Sequence, residues 1–281
     1  MSVRIVTDST SDISPALAAE LGVSIVPLSV VFGENVYKEG VEISHDLFYE
    51  RLQKSKDLPT TSAPSVGDFL ETYREVLKET DEIVSIHLAS KLSATYENAC
   101  QAAAVLADEG AKIDVVDSQA VSFGISFMVN VAANAARAGA STEEIRKLLE
   151  PMADRTHIFV VLDTLEYVRR GGRIGRARAF LGTIMRVKPI LSIRQGEVHP
   201  EERVRTRRHA LDRMFQLATS YPNIEEIGVA YSTNAEEAEE MRSRLQEALD
   251  GVKVQMTRLG PVIGVHGGPG TLGIGILEGE R

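Results

Sequence analysis

Short β-branched runs alternate with amphipathic stretches along the first half of the chain, a pattern that predicts βαβ units. Val3 to Thr7 reads as a strand running into the polar turn Asp8-Ser9-Thr10-Ser11-Asp12. Ser14-Pro15 then offers an N-cap and a first helical residue for a helix through Leu21. Val23 to Val31 reads as one strand, Asn35 to Lys38 as a turn-and-return segment, and His45 to Lys54 as a helix. Ser65-Val66-Gly67-Asp68 has the spacing of a capping arrangement ahead of a helix through Lys78. Strands at Ile83 to His87 and Ile113 to Val116 alternate with helices at Ala94 to Asp108, Val121 to Arg137 and Thr142 to Arg155. Strands separated by helices pair in parallel and carry helices on both faces, so residues 1–155 are expected to form a doubly wound, Rossmann-like α/β domain.

The texture changes after Arg155. Ile158 to Leu162 predicts a strand, two helices flank Gly171-Gly172, and Ile190 to Arg194 with Val198 predicts a hairpin across Gln195-Gly196. A helix from Thr206 to Ser220, a strand from Ile227 to Tyr231 and a helix from Ala235 to Leu249 follow. Three closing strands are expected at Val252 to Met256, Val262 to His266 and Gly273 to Leu277. Residues 156–281 therefore read as an α+β domain on a mixed or antiparallel sheet. No Pro/Gly-rich linker separates the halves, which predicts a tight interface between them.

A chain of 281 residues, 43% hydrophobic and 25% charged, has enough apolar surface for two cores. Its net charge of -9 argues against general binding to nucleic acid or an anionic membrane, both of which begin with a positive field. Cys100 is the only cysteine, which excludes an intrachain disulfide; it reads as a small hydrophobe in an alanine-rich helix. The start lacks a signal-peptide core, and no apolar run approaches the roughly 20 residues of a membrane span, so a cytoplasmic protein is expected. The histidines are dispersed without helical ligand spacing, so neither a metal nor a cofactor is expected.

Candidate chemistry lies in three turns. Thr61 and Ser62 stand between two prolines and have no evident structural duty once Ser65 is assigned to the following helix cap. Ser93 follows the strand Ile83 to His87, at the carboxyl edge of a parallel sheet where open α/β folds bind ligands. At a helix start its hydroxyl serves either as a cap or as a donor to an anion. His266 precedes Gly267-Gly268-Pro269-Gly270-Thr271, where small residues admit a ligand close to the backbone. Together the turns point to one polar pocket for a small anion such as a carboxylate, and no catalytic residue is assigned. Asp8 to Asp12 has neither a glycine fingerprint nor a P-loop lysine and reads as a cap. Arginines cluster in residues 169–178 and again in 203–208. In an acidic chain these are either solvated helix ends or a surface for an acidic or phosphate-carrying partner.

Seven ordered segments resemble the DegV family, whose bacterial members include the FakB fatty-acid carriers. They are Val6 to Asp12, Thr61 to Ser65, Ser90 to Tyr96, Asp117-Ser118, Leu165 to Ile174, Lys188 to Leu191 and His266 to Gly270. The resemblance spans essentially the whole chain. It implies a two-domain protein that encloses a long-chain fatty acid such as palmitate, its carboxylate held at Thr61, Ser93 and His266 with Ser62 beside them. It further implies that the acid is presented to an ATP-dependent fatty-acid kinase making acyl phosphate for phospholipid synthesis. Docking would then fall near Arg203 and Arg205, and the chain itself would be a carrier and not an enzyme. Two positions depart from the family pattern: Ala63 stands where Gln is usual and Ala94 where Gly is usual, and Ala63 offers no polar contact to a head group. Tail methylenes bring about 0.8 kcal/mol each on burial, so neutral donors are expected to suffice for the head. Phe123, Ile125, Phe127, Phe180, Ile184 and Met185 are candidates for lining the tail. Two other classes stay open: an enzyme on a small carboxylate or ester with Ser93 and His266 as nucleophile and base, and a lipid-sensing regulator.

Overall fold

The computed structural model describes residues 3–55, 57–180 and 187–280. The first half runs β1 (Arg4–Asp8), α1 (Pro15–Leu21), β2 (Val23–Val26), β3 (Ser29–Phe32), β4 (Asn35–Lys38), α2 (His45–Lys54), β5 (Thr60–Ser62), α3 (Val66–Val76), β6 (Glu82–His87), α4 (Thr95–Ala107), β7 (Lys112–Asp117), α5 (Phe123–Arg137), α6 (Thr142–Leu149) and α7 (Met152–Arg155). The second runs β8 (Thr156–Val161), α8 (Glu166–Arg170), β9 (Lys188–Arg194), β10 (Glu197–Val204), α9 (Arg207–Ala218), β11 (Ile224–Tyr231), α10 (Ala235–Ala248), β12 (Val254–Arg258), α11 (Pro261–Gly267) and β13 (Leu272–Glu278).

Strands β2, β1, β6 and β7 form an all-parallel sheet in that order. Side chains alternate across it: Val6 and Ile83 join the core under α3 and α4, whereas Ile5, Val84 and Ile86 join the core with α1, α5 and α6. Six further strands, in the order β10-β9-β8-β13-β11-β12, form a mixed sheet that is antiparallel except at β11–β12. Helices α9 and α10 cover one face of it. Against the other face lies α5, because β11 and β13 give up side chains to admit it. A Cβ on Gly228 would stand 2.3 Å from Phe123 Cζ, and one on Gly275 would stand 2.6 Å from Phe123 Cβ. Helix α5 is apolar on most of its circumference and is buried continuously from Phe123 to Val129, with Asn134 and Arg137 left exposed in its last turns. The core around it takes in Ala230, Leu259, Val262, Val265 and Leu277 from beyond Arg155.

The remaining strands make a small antiparallel sheet, β4-β3-β5. Here the structure differs from the sequence reading in an instructive way. Pro27 divides the expected strand Val23 to Val31, sending β2 into the parallel sheet and β3 into the small one. Pro151 similarly splits the expected helix Thr142 to Arg155 into α6 and α7. The segment Val262 to His266 is not a strand but the body of α11. Proline at the first helical position opens it, and with four of its seven residues buried it shows no clean 3.6-residue period.

Helix α11 packs tightly enough for glycine to matter. A Cβ on Gly264 would stand 2.6 Å from Phe48 and 2.8 Å from the Tyr49 hydroxyl, both on α2. Helix propensity favours alanine by about 1 kcal/mol, but overpacking a fully buried aromatic costs about 1–3 kcal/mol. Gly264→Ala is therefore expected to lower stability by up to about 2 kcal/mol in urea unfolding. A more stable variant would show that this interface has room to give.

Candidate functional site

One cavity gathers the loops after β1 and β6, strand β5, helix α11 and the exit of α8. Its walls are chiefly apolar, with Leu28, Phe123, Val160, Leu191, Val262 and Ile274 among them. Thr61, Ser93, His266 and Arg173 line the same cavity. Thr61 sits opposite buried Val30 in the β3–β5 pairing, so strand alternation turns it inward and leaves Thr60 and Ser62 exposed. Its Oγ1 lies 3.0 Å from His266 Nε2 at the end of α11. Arg173 Nε donates to the Leu92 carbonyl at 3.0 Å and its Nη1 to the Gly171 carbonyl at 2.6 Å. Gly171 in turn abuts the imidazole, since a Cβ there would stand 2.2 Å from His266 Nδ1. Thr61 thus meets His266 directly, and Arg173 holds the carbonyl of Leu92, the residue before Ser93; Thr10, Ser122 and Thr271 add further polar groups to the lining.

The Ser93 loop is held from both halves. Ser90 donates its N–H and its hydroxyl to Asp117 at 3.2 and 2.6 Å, and Lys91 Nζ donates to the Gln195 carbonyl at 2.9 Å. Ser93 Oγ lies 2.8 Å from Thr95 Oγ1, and the residue in the N-cap position of α4 is Ala94, without a side-chain cap bond. Burial, and then the charge of Arg173, push the His266 imidazole down to about 4, so it is neutral at pH 7. The one fixed positive charge among these four residues is the guanidinium. By sequence alone Arg173 belongs to a surface cluster, and neutral donors alone are expected at the head group. The signal lay in Arg170-Gly171-Gly172-Arg173, where Gly172 at φ +73° turns the chain back toward the pocket.

Behind the wall, two buried carboxyl groups hold the start of α11. Asp12 Oδ1 accepts the Gly260 N–H at 2.8 Å and Glu39 Oε1 accepts the Val262 N–H at 2.9 Å. Burial raises Asp12 to about 8 and Glu39 to about 7, against weaker lowering by neighbouring hydrogen-bond donors; each also feels the charge of a neighbouring acid. A second polar set lies deeper. Ser85 Oγ is 2.7 Å from His87 Nε2, and His87 Nδ1 is 3.0 Å from Asp8 Oδ2. The spacing is that of a nucleophile, base and acid, but all three side chains are fully buried and Tyr73 donates to Ser85 at 2.8 Å. These groups tie α3 to β6 and β1, and Asp8 accepts from the Thr10 N–H at 2.9 Å, steadying a residue that lines the cavity.

The other expected positions fall as follows. Ser62 is exposed and bonds the neighbouring Ala63 carbonyl. Phe123 lines the cavity. Ile125 lies on a different face of α5, and Phe127 stacks behind Phe123 at 5.5 Å between ring centroids; both are core. Phe180 lies 4.9 Å beneath the guanidinium of Arg203, while Ile184 and Met185 fall outside the described residues. Arg203 stands one residue before the end of β10 and Arg205 lies between β10 and α9, both exposed. No carboxylate bonds His266 among the described residues, and Ser93 pairs with Thr95, so a nucleophile-base pair lacks its geometry. Among the described residues no helix is long and apolar enough to cross a membrane, and no group of three His, Cys, Asp or Glu could hold a metal ion.

Residues 2–279 match the DegV family, described as uncharacterised proteins. A DegV domain-containing protein of Halalkalibacterium halodurans is 38% identical over 277 residues, 97% of each chain. A structure of a Thermus thermophilus DegV family protein, described by its fatty-acid binding, is 34% identical at a TM-score of 0.90, covering 99% of this chain and 100% of that one. A stearic acid-binding protein from Eubacterium ventriosum is 29% identical at a TM-score of 0.91 over 98% of both chains.

The acid pair carries a pH dependence of stability. Folding keeps Asp12 and Glu39 protonated at pH values where the unfolded chain, with ordinary values of 3.8 and 4.5, ionises them. Their contribution is complete below about pH 4 and is lost as pH rises through about 7 to 8. Stability is expected to fall from pH 5 to pH 9, and Asp12→Asn to flatten the upper part of that fall. Urea midpoints at pH 5, 7 and 9 measure it; parallel slopes for variant and wild type would contradict the assignment.

Proposed function

The chain belongs to the DegV family, and from that membership together with its pocket we propose that it binds a long-chain fatty acid. One observation carries the reading: an apolar cavity walled by both halves of the chain, with Thr61, Ser93, Arg173 and His266 converging on one region of it. A fatty acid is the simplest ligand with that division, a long apolar body ending in one small anion. Related proteins described as binding fatty acids support the same chemistry. The tail supplies most of the affinity at about 0.8 kcal/mol per buried methylene, and the polar groups fix which way round the ligand lies. The proposal extends to a cytoplasmic carrier without chemistry of its own, which presents the carboxylate to an ATP-dependent kinase. Attack of a carboxylate oxygen on the γ-phosphorus would release ADP and leave an acyl phosphate. Exposed Arg203 and Arg205, on a chain of net charge -9, supply a local positive surface for that partner.

Titration calorimetry with palmitate and stearate is expected to show about one ligand per chain. Thr61→Ala and Ser93→Ala should each weaken binding by roughly 0.5–1.5 kcal/mol, the net value of a hydrogen bond. The absence of both binding heat and co-purified lipid, with the protein folded, would end the carrier reading.

Delivery is tested separately. Arg203→Ala and Arg205→Ala are expected to keep lipid affinity while lowering acyl-phosphate formation in an assay with a fatty-acid kinase, ATP and labelled palmitate. Added salt should weaken the wild-type reaction, because charge complementarity acts on encounter. Transfer equal to wild type in both variants, or lipid affinity falling in step with transfer, would remove the arginines from the docking surface.

A further inference from the structure

We infer that Gly171 holds His266 as the tautomer protonated on Nε2, and that this turns the Thr61 hydroxyl into a donor toward the ligand; the ligand half of the statement rests on the carrier reading above. The imidazole Nδ1 is buried and has no hydrogen-bond partner. It faces the bare Cα of Gly171, where a Cβ would stand 2.2 Å from Nδ1 and 2.8 Å from Cε1. The other nitrogen, Nε2, has Thr61 Oγ1 at 3.0 Å.

A neutral imidazole carries a single N–H. Placed on Nδ1, that proton would be a buried donor without an acceptor, set in the field of the Arg173 guanidinium that also acts on this ring. Placed on Nε2, it is donated to Thr61 Oγ1, and Nδ1 keeps only a lone pair. An orphaned acceptor is more readily tolerated in protein interiors than an orphaned N–H. The direction of the bond then decides what Thr61 offers the pocket. Its own O–H is left for a third group, which a carboxylate can accept. The opposite tautomer would take the Thr61 proton and present hydroxyl lone pairs to an anion.

Gly171 is thus a positioning residue, acting through His266 and Thr61. Its backbone, at φ -70° and ψ -5°, is one that alanine adopts without strain, so Gly171→Ala presses chiefly on the imidazole, the Tyr167 carbonyl standing farther off at 3.2 Å from the added Cβ. Nitrogen-15 NMR of the histidine rings in the full chain, assigned by the signal lost in His266→Gln, reads the tautomer directly. The Nε2–H form is expected in the wild type. Gly171→Ala should shift the His266 nitrogens and weaken palmitate binding roughly three- to tenfold. The Gln amide reaches the Nε2 position and the Asn amide the Nδ1 position, so His266→Gln should bind palmitate several-fold more tightly than His266→Asn. A wild-type Nδ1–H tautomer, unmoved His266 nitrogens in Gly171→Ala, or equal affinity of the Gln and Asn variants would overturn the inference. A wild type that binds no palmitate would instead refute the carrier reading, with the tautomer still deciding the role of Gly171.

Discussion

The pocket depends on two hydrogen bonds at the start of α11, where Asp12 and Glu39 from the first half of the chain accept the N–H groups of Gly260 and Val262 in the second. A helix of seven residues has no stability of its own. What keeps it is the surroundings: acceptors at its N-terminus, α2 against Gly264, and Tyr167 against Gly268 at its end. Acceptors at a helix start also meet the positive end of the dipole. Two neighbouring buried carboxylates are costly together, and here burial resolves the conflict by keeping protons on the pair near neutral pH. A protonated carboxyl still accepts through its carbonyl oxygen, so the bonds persist while much of the charge is removed. The arrangement places Val262, Ile263 and His266 on the cavity wall.

How much of this was legible follows from which forces write themselves into local pattern. Strands β1, β6 and β7 and helices α4, α5 and α9 announce themselves through β-branched runs, amphipathic spacing or buried alanines, and the Ser65–Asp68 capping box is visible as spacing alone. The change to antiparallel pairing after Arg155 is likewise carried by Gln195-Gly196 and its flanking strands. Helix α11 has the local pattern of a strand, because a short, enclosed apolar run has no period to distinguish the two, and its caps lie more than 200 residues away along the chain. Proline is the local signal that marks the divided elements: Pro27 and Pro151 each stand where an expected element is divided.

The candidate site divides in the same way. Thr61, Ser93 and His266 stand in turns whose hydroxyls, glycines or sheet-edge position mark them without any tertiary knowledge. Ser62 shares the turn with Thr61 but strand alternation sends it to the other face, a distinction that requires knowing β5 pairs with β3. Arg173 was hidden by its neighbours. Among so many arginines nothing local separates the one whose guanidinium spans Leu92 and Gly171 from those that remain in solvent.

That guanidinium also settles how firmly a head group is held on the proposed reading. Two of its five N–H donors are directed at backbone carbonyls, so it acts on an incoming carboxylate largely through its field and not as a free bidentate fork. The remaining donors are the neutral hydroxyls of Thr61, oriented by His266, and Ser93, worth about 0.5–1.5 kcal/mol each. Several methylenes of the tail outweigh any one of them. Affinity then resides in the apolar wall, which both halves and α11 build together, and orientation in the polar end. A carboxylate oriented by modest donors keeps oxygen lone pairs available for chemistry supplied from outside. Enclosing the tail fixes such a ligand without a strong grip on its carboxylate.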